Sequence, residues 1–122
     1  MNELRIMVID DENIVGKMIQ SSFEQDGYVV EPFTEPAEAL SRLKEEEFHM
    51  VITDLKMKDI DGMEVLNTIK KERPQIKVIM ITAFASMDTA VEAFRKSVDD
   101  FFAKPIKIAD LKATVKQLLS TP

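Results

Sequence analysis

Residues 50–62 read MVITDLKMKDIDG. Four apolar or β-branched residues, Met50 to Thr53, end abruptly in Asp54, and a charged loop runs on to Gly62. A continuous short run of this kind predicts a strand buried on both faces, the pattern of parallel sheets. Such a strand is a rigid mount that holds its terminal carboxylate at the edge of the sheet.

Four further runs extend the pattern: RIMVI (5–9), YVVEPF (28–33), KVIMIT (77–82) and DFFA (100–103). Glu31 and Pro32 mark the 28–33 run as an edge strand, because proline has no N–H to donate to a ladder. Helical patterns lie between the runs. Ile14, Met18, Ile19 and Phe23 read as the inner face of a first helix, and Thr34 before Glu35-Pro36 reads as the cap of a second carrying Leu40 and Leu43. Val65, Leu66 and Ile69 mark a third, stopped near Pro74. Ser86 caps a fourth with Met87, Val91, Phe94 and Val98 as its apolar positions, and Ile108, Leu111, Val115 and Leu118 define a fifth. The order is strand–helix five times over, which predicts a doubly wound α/β fold with a parallel sheet covered on both faces.

Composition narrows the function. The 122 residues are 45% apolar and 31% charged, the balance of one globular domain with a real core. A formal charge of −6 argues against direct nucleic-acid binding, which relies on cations meeting phosphates. With no cysteine and one histidine, His49, a nitrogen–sulfur zinc site is excluded, whereas oxygen sites for Mg²⁺ or Ca²⁺ stay open. No apolar run is long enough to span a bilayer and the N-terminus lacks a signal peptide's features, so a cytoplasmic protein without membrane contact is expected. His49 reads as a loop residue, the KEEE run (44–47) as a solvated helix end, and the methionines as core filler, with Met87 suited to an adaptable interface.

Chemistry gathers at the strand ends. The first strand is followed by Asp10, Asp11 and Glu12, the third by Asp54, the fourth ends in Thr82, and the last is followed by Lys104 and Pro105. Ligands of open α/β sheets bind outside the carboxyl ends of the strands. Taken singly, Asp10 and Asp11 suit helix capping and Lys104 a solvated surface. Brought together, two carboxylates about 4 Å apart repel by roughly 4 kcal/mol at an effective dielectric near 20. A divalent cation offsets that repulsion, and hard one-sided oxygen ligands suit Mg²⁺. A carboxylate nucleophile, Mg²⁺ and a lysine are the parts of phosphoryl transfer to aspartate.

The segments IDDE (9–12), DLKMKDIDGMEVL (54–66), MITAFA (80–85) and DFFAKPI (100–106) occur in the order and at the intervals of the receiver domain of bacterial two-component response regulators. The whole chain resembles that family. The resemblance implies a flavodoxin-like fold with strand order 2-1-3-4-5, a single receiver domain over 1–122, and residues 120–122 as the start of a linker. It implies that Asp54 is the phosphoacceptor. Asp11, Asp54 and the Lys56 backbone carbonyl would bind Mg²⁺, with Asp10 assisting through water. Lys104 would contact the phosphoryl group, and its bond to Pro105 resembles the family's cis peptide. Thr82 would follow the phosphoryl group and Phe101 would turn inward on activation. The implied partners are a sensor histidine kinase or phosphotransfer protein, a second copy meeting the helix 4–strand 5–helix 5 face, and a C-terminal transcriptional output domain.

Lys58 stands where the family has proline and Ser97-Val98 where Gly-Ala is common, so a looser loop is expected after Asp54. Lys56 and Phe84 flank the path of a hydrolytic water, so slow loss of the phosphoryl group is expected. A half-life unchanged by replacing both with alanine would count against that. Two other functions fit parts of the pattern. An aspartyl-nucleophile phosphatase would need an acid–base aspartate two residues after Asp54, where this chain has Lys56. A phosphorylation-independent binding module would not need the acidic pair, Thr82 and Lys104 together. Turnover of an external substrate is not expected.

Overall fold

A computed structural model of the protein describes residues 3–120; the rest of the expected 120–122 linker, residues 121 and 122, lies outside the described residues. Ten elements alternate: β1 (Arg5–Ile9), α1 (Asn13–Glu24), β2 (Val29–Phe33), α2 (Pro36–Glu45), β3 (Met50–Thr53), α3 (Gly62–Glu72), β4 (Lys77–Thr82), α4 (Met87–Arg95), β5 (Asp100–Ala103) and α5 (Ile108–Ser120). The strands form one parallel sheet in the order β2-β1-β3-β4-β5. Among the described residues no helix is long and apolar enough to cross a membrane.

The strand residues explain the layering. Alternate side chains of a buried strand point to opposite faces, so each central strand feeds two cores. Met7, Ile9, Val51, Val78 and Met80 meet Ala39 and Leu43 of α2, Leu66 and Ile69 of α3, and Ala93 of α4. Ile6, Val8, Met50, Ile52, Ile79 and Ile81 meet Ile19 and Phe23 of α1 and Leu111 and Val115 of α5. Three helices therefore cover one face and two the other. β2 is an edge strand, as Glu31 and Pro32 suggest; Glu31 is held by Arg5 at 2.7 Å and by Arg42 at 2.9 Å.

Three helix expectations change. Ile14 and Met18 point to solvent, because the inner face of α1 is Gly16, Ile19 and Phe23. The residue capping α2 is Glu35, without a side-chain cap bond, because the helix opens at Pro36 and leaves Thr34 one residue too early. Ser86 does cap α4, in a reciprocal box with Thr89, yet Met87, Val91 and Phe94 are exposed. Ala93 alone of the helix is buried, and Val98 reaches the core from beyond the helix end. A small residue seats α4 on the sheet, and its large apolar residues face outward.

The methionines divide as well. Met7, Met50, Met63 and Met80 are buried, whereas Met18 and Met87 are exposed. His49 is more than a loop residue: its Nδ1 accepts the Arg5 N–H at 3.0 Å, tying β3 to β1.

Candidate functional site

Strand register builds the site. Ile9 pairs with Thr53, so Asp10 and Asp54 leave neighbouring strands at the same level, and the Asp54 N–H donates to the Ile9 carbonyl at 2.9 Å. Thr82 pairs with Ala103, and the Lys104 N–H donates to the Thr82 carbonyl at 2.9 Å. The strand order reverses direction at β1 and β3, which is where a ligand crevice opens in a doubly wound sheet.

The side chains converge there. Lys104 Nζ lies 2.8 Å from Asp10 Oδ2 and 3.2 Å from Asp54 Oδ2. Asp54 Oδ1 accepts the Leu55 N–H at 2.7 Å. Asp10 Oδ1 accepts the Glu12 N–H at 2.8 Å, and Glu12 rather than either aspartate occupies the capping position of α1. One oxygen from each of Asp10, Asp11 and Asp54 lies within 4.8 Å of the others. Asp10 and Asp54 are buried, while Asp11 is exposed and makes no hydrogen bond or ion pair among the described residues. Three hard carboxylate donors, two of them on rigid strand ends, fit an octahedral cation that keeps several waters. The donor set therefore fits Mg²⁺.

Electrostatics agree with a site short of positive charge. Burial raises the Asp10 carboxyl above its ordinary value, the neighbouring Asp54 charge adds to this, and bonds from Lys104 and the Glu12 N–H offset only part of it. Burial alone would lower Lys104, but the contacts with Asp10 and Asp54 outweigh it and hold the ammonium firmly protonated. A single cation facing three carboxylates leaves net negative charge, which a bound divalent ion would neutralise.

Thr82 is buried at the end of β4, and its Oγ1 accepts the Phe84 N–H at 3.0 Å. Phe101 is half-buried against the core cluster that includes Ala93 and Val98. The Lys104–Pro105 peptide is cis. Lys56 is exposed on the β3–α3 loop. That loop is tied without a proline: Asp59 takes a left-handed conformation with φ 68°, and the Ile60 N–H donates to the Lys58 carbonyl at 2.7 Å. The sequence reading omitted Glu12 from the site, although its Oε1 lies 3.4 Å from Lys104 Nζ. The acidic triplet after β1 was the available signal, but only its two aspartates matched the motif that carries the site.

The chain is similar to known proteins in sequence and fold. Residues 6–116 match the sequence profile of the response regulator receiver domain. The transcriptional regulatory protein ZraR of Klebsiella oxytoca is 33% identical over 97% of this chain, which spans 27% of that relative's length. A CheY-like response regulator receiver domain from Methanospirillum hungatei JF-1 superimposes with a TM-score of 0.93 at 30% identity, covering 98% of this chain and 95% of that one. The beryllofluoride-activated NtrC4 receiver domain dimer gives a TM-score of 0.90 at 32% identity, with coverages of 95% and 96%. With the profile spanning nearly all of the sheet and its helices, the chain belongs to the response regulator receiver domain family of two-component signalling.

Proposed function

We propose that the protein is a phosphorylation switch in which Asp54 takes a phosphoryl group from a phosphohistidine on a sensor histidine kinase or phosphotransfer protein. The observation that carries this reading is Asp54 Oδ2 held 3.2 Å from Lys104 Nζ beside the carboxylates of Asp10 and Asp11. An oxygen of Asp54 attacks phosphorus, the phosphorus–nitrogen bond of the donor breaks, and the imidazole nitrogen keeps the electron pair. Lys104 is placed to meet the oxygens of the transferred group. Mg²⁺, when bound by Asp11, Asp54 and the Lys56 carbonyl with Asp10 behind a water, supplies further neutralisation of those oxygens. Ile14 and Met18, exposed on the helix that starts beside the site, offer apolar contact to the donor protein.

The signal leaves through Thr82 and Phe101. A phosphoryl oxygen that draws the Thr82 hydroxyl loosens its bond with the Phe84 N–H, and Phe101 turns inward. The surface of α4, β5 and α5 changes as a result, altering contact with a second copy or with a C-terminal transcriptional output domain. Setting such a switch from 1:99 to 99:1 takes about 5.5 kcal/mol of differential stabilisation. The domain works in the cytoplasm and reads no DNA itself. The test is incubation with Mg²⁺ and acetyl phosphate followed by mass spectrometry. Wild type gains one phosphoryl group and Asp54→Asn gains none; labelling of Asp54→Asn at the normal rate would sink the assignment.

A further inference from the structure

We propose that Glu12 is a positioning residue that holds the Lys104 ammonium in its unphosphorylated place and competes with the phosphoryl group for it. This rests on Asp54 being the phosphoacceptor. Lys104 Nζ is shared by three carboxylates, with Glu12 Oε1 at 3.4 Å behind Asp10 at 2.8 Å and Asp54 at 3.2 Å. Asp10 and Asp54 have other work in the reaction, and Glu12 has none. Glu12 also occupies the capping position of α1 with extended backbone, yet its side chain makes no cap bond. Its N–H is pinned to Asp10 Oδ1 at 2.8 Å while its carboxylate reaches across to Lys104, the residue after β5.

The geometry gives Glu12 a definite effect. Once Asp54 carries a phosphoryl group, the ammonium is drawn toward the new oxygens and must leave Glu12, the most exposed and most weakly held of its partners. Each loss of that contact opposes phosphorylation, so Glu12 acts as a brake that returns Lys104 to rest when the group departs. An ion pair this exposed commands only a modest effect, roughly two- to fivefold in an equilibrium constant.

The test is titration of the full chain with beryllofluoride at saturating Mg²⁺, followed by ¹⁹F NMR. Glu12→Gln is expected to bind the phosphoryl mimic roughly two- to fivefold more tightly than wild type. Glu12→Asp keeps the charge but is one methylene too short for the lysine, and its affinity is expected to rise in the same direction. Unchanged or weaker binding by Glu12→Gln would overturn the proposal. So would a Glu12→Asp protein indistinguishable from wild type beside a tighter Glu12→Gln, because net charge rather than the ion pair would then set the affinity. Failure of wild type itself to bind beryllofluoride would instead overturn the assignment of Asp54, so the two readings fail in different ways.

Discussion

At Gly62 the site depends on an atom that is missing. A Cβ there would run into the carbonyl oxygen of Asp54 and stand 2.8 Å from the Leu55 Cα, while the Gly62 N–H donates to the Leu55 carbonyl at 2.7 Å. The first residue of α3 thus packs directly on the backbone that carries the acceptor carboxylate. Gly62→Ala must push that backbone or the helix aside, and overpacking of this kind costs about 1–3 kcal/mol. Urea unfolding of the variant is expected to show this loss, together with weaker beryllofluoride binding. A variant as stable as wild type would show that the loop yields freely. The sequence marked Gly62 only as the end of the charged loop, because spacing reveals where a glycine lies and not what its absent side chain would strike. Asp54, Thr82 and Lys104 were legible because each follows or ends a readable strand. Lys58 was legible as an oddity only; next to it the chain turns through a left-handed Asp59, a residue type that tolerates this conformation but does not by itself predict it.

At the scale of elements, the edge strand is tied to its neighbours by charge. Glu31 of β2 meets Arg5 of β1 and Arg42 of α2, all three side chains partly buried. The Arg42 hydrogen bond, followed by the Arg42 charge and the contact with Arg5, outweighs burial and holds the Glu31 carboxyl below its ordinary value of 4.5. A carboxyl lowered in the folded state contributes stability above its unfolded value, and that contribution disappears as pH falls through the folded value. Glu31→Gln is therefore expected to lose roughly 1 kcal/mol at pH 7 and progressively less as pH drops below about 4. Equal losses at pH 7 and pH 3, read from denaturant midpoints, would show that shape rather than charge matters at this position. The same scale explains why two helix faces were misread. A stripe of large apolar residues normally marks the core side of a helix, but Gly16 and Ala93 let α1 and α4 sit close to the sheet on small residues. Ile14 and Met18 of α1 and the whole large-residue stripe of α4 were then left for solvent or for partners, while Ile19 and Phe23 stayed in the core.

For the molecule as a whole, alternating runs and handed crossovers predicted a parallel sheet covered on both faces, whereas the strand order that brings the site together followed only from the resemblance to the receiver family. The resemblance implied an output face on helix 4, strand 5 and helix 5, but which apolar residues stay exposed there was not legible, because that depends on how the core fills. Phe84, Met87, Val91 and Phe94 do so, grouped on α4 and the loop before it. Burying such a group against a second copy removes apolar area from water, worth roughly 25 cal/mol per Å² before association costs are met. In the proposed switch these exposed residues would serve assembly and contribute little to the stability of the folded state. The double variant Met87→Ser/Phe94→Ser is accordingly expected to unfold within about 0.5 kcal/mol of wild type, as exposed substitutions do. If the proposed assembly through this face holds, sedimentation velocity is expected to show wild type dimerising with beryllofluoride and Mg²⁺ and the double variant staying monomeric. A large loss of stability would place Met87 or Phe94 in the core after all, and an undiminished dimer would move the assembly surface away from α4.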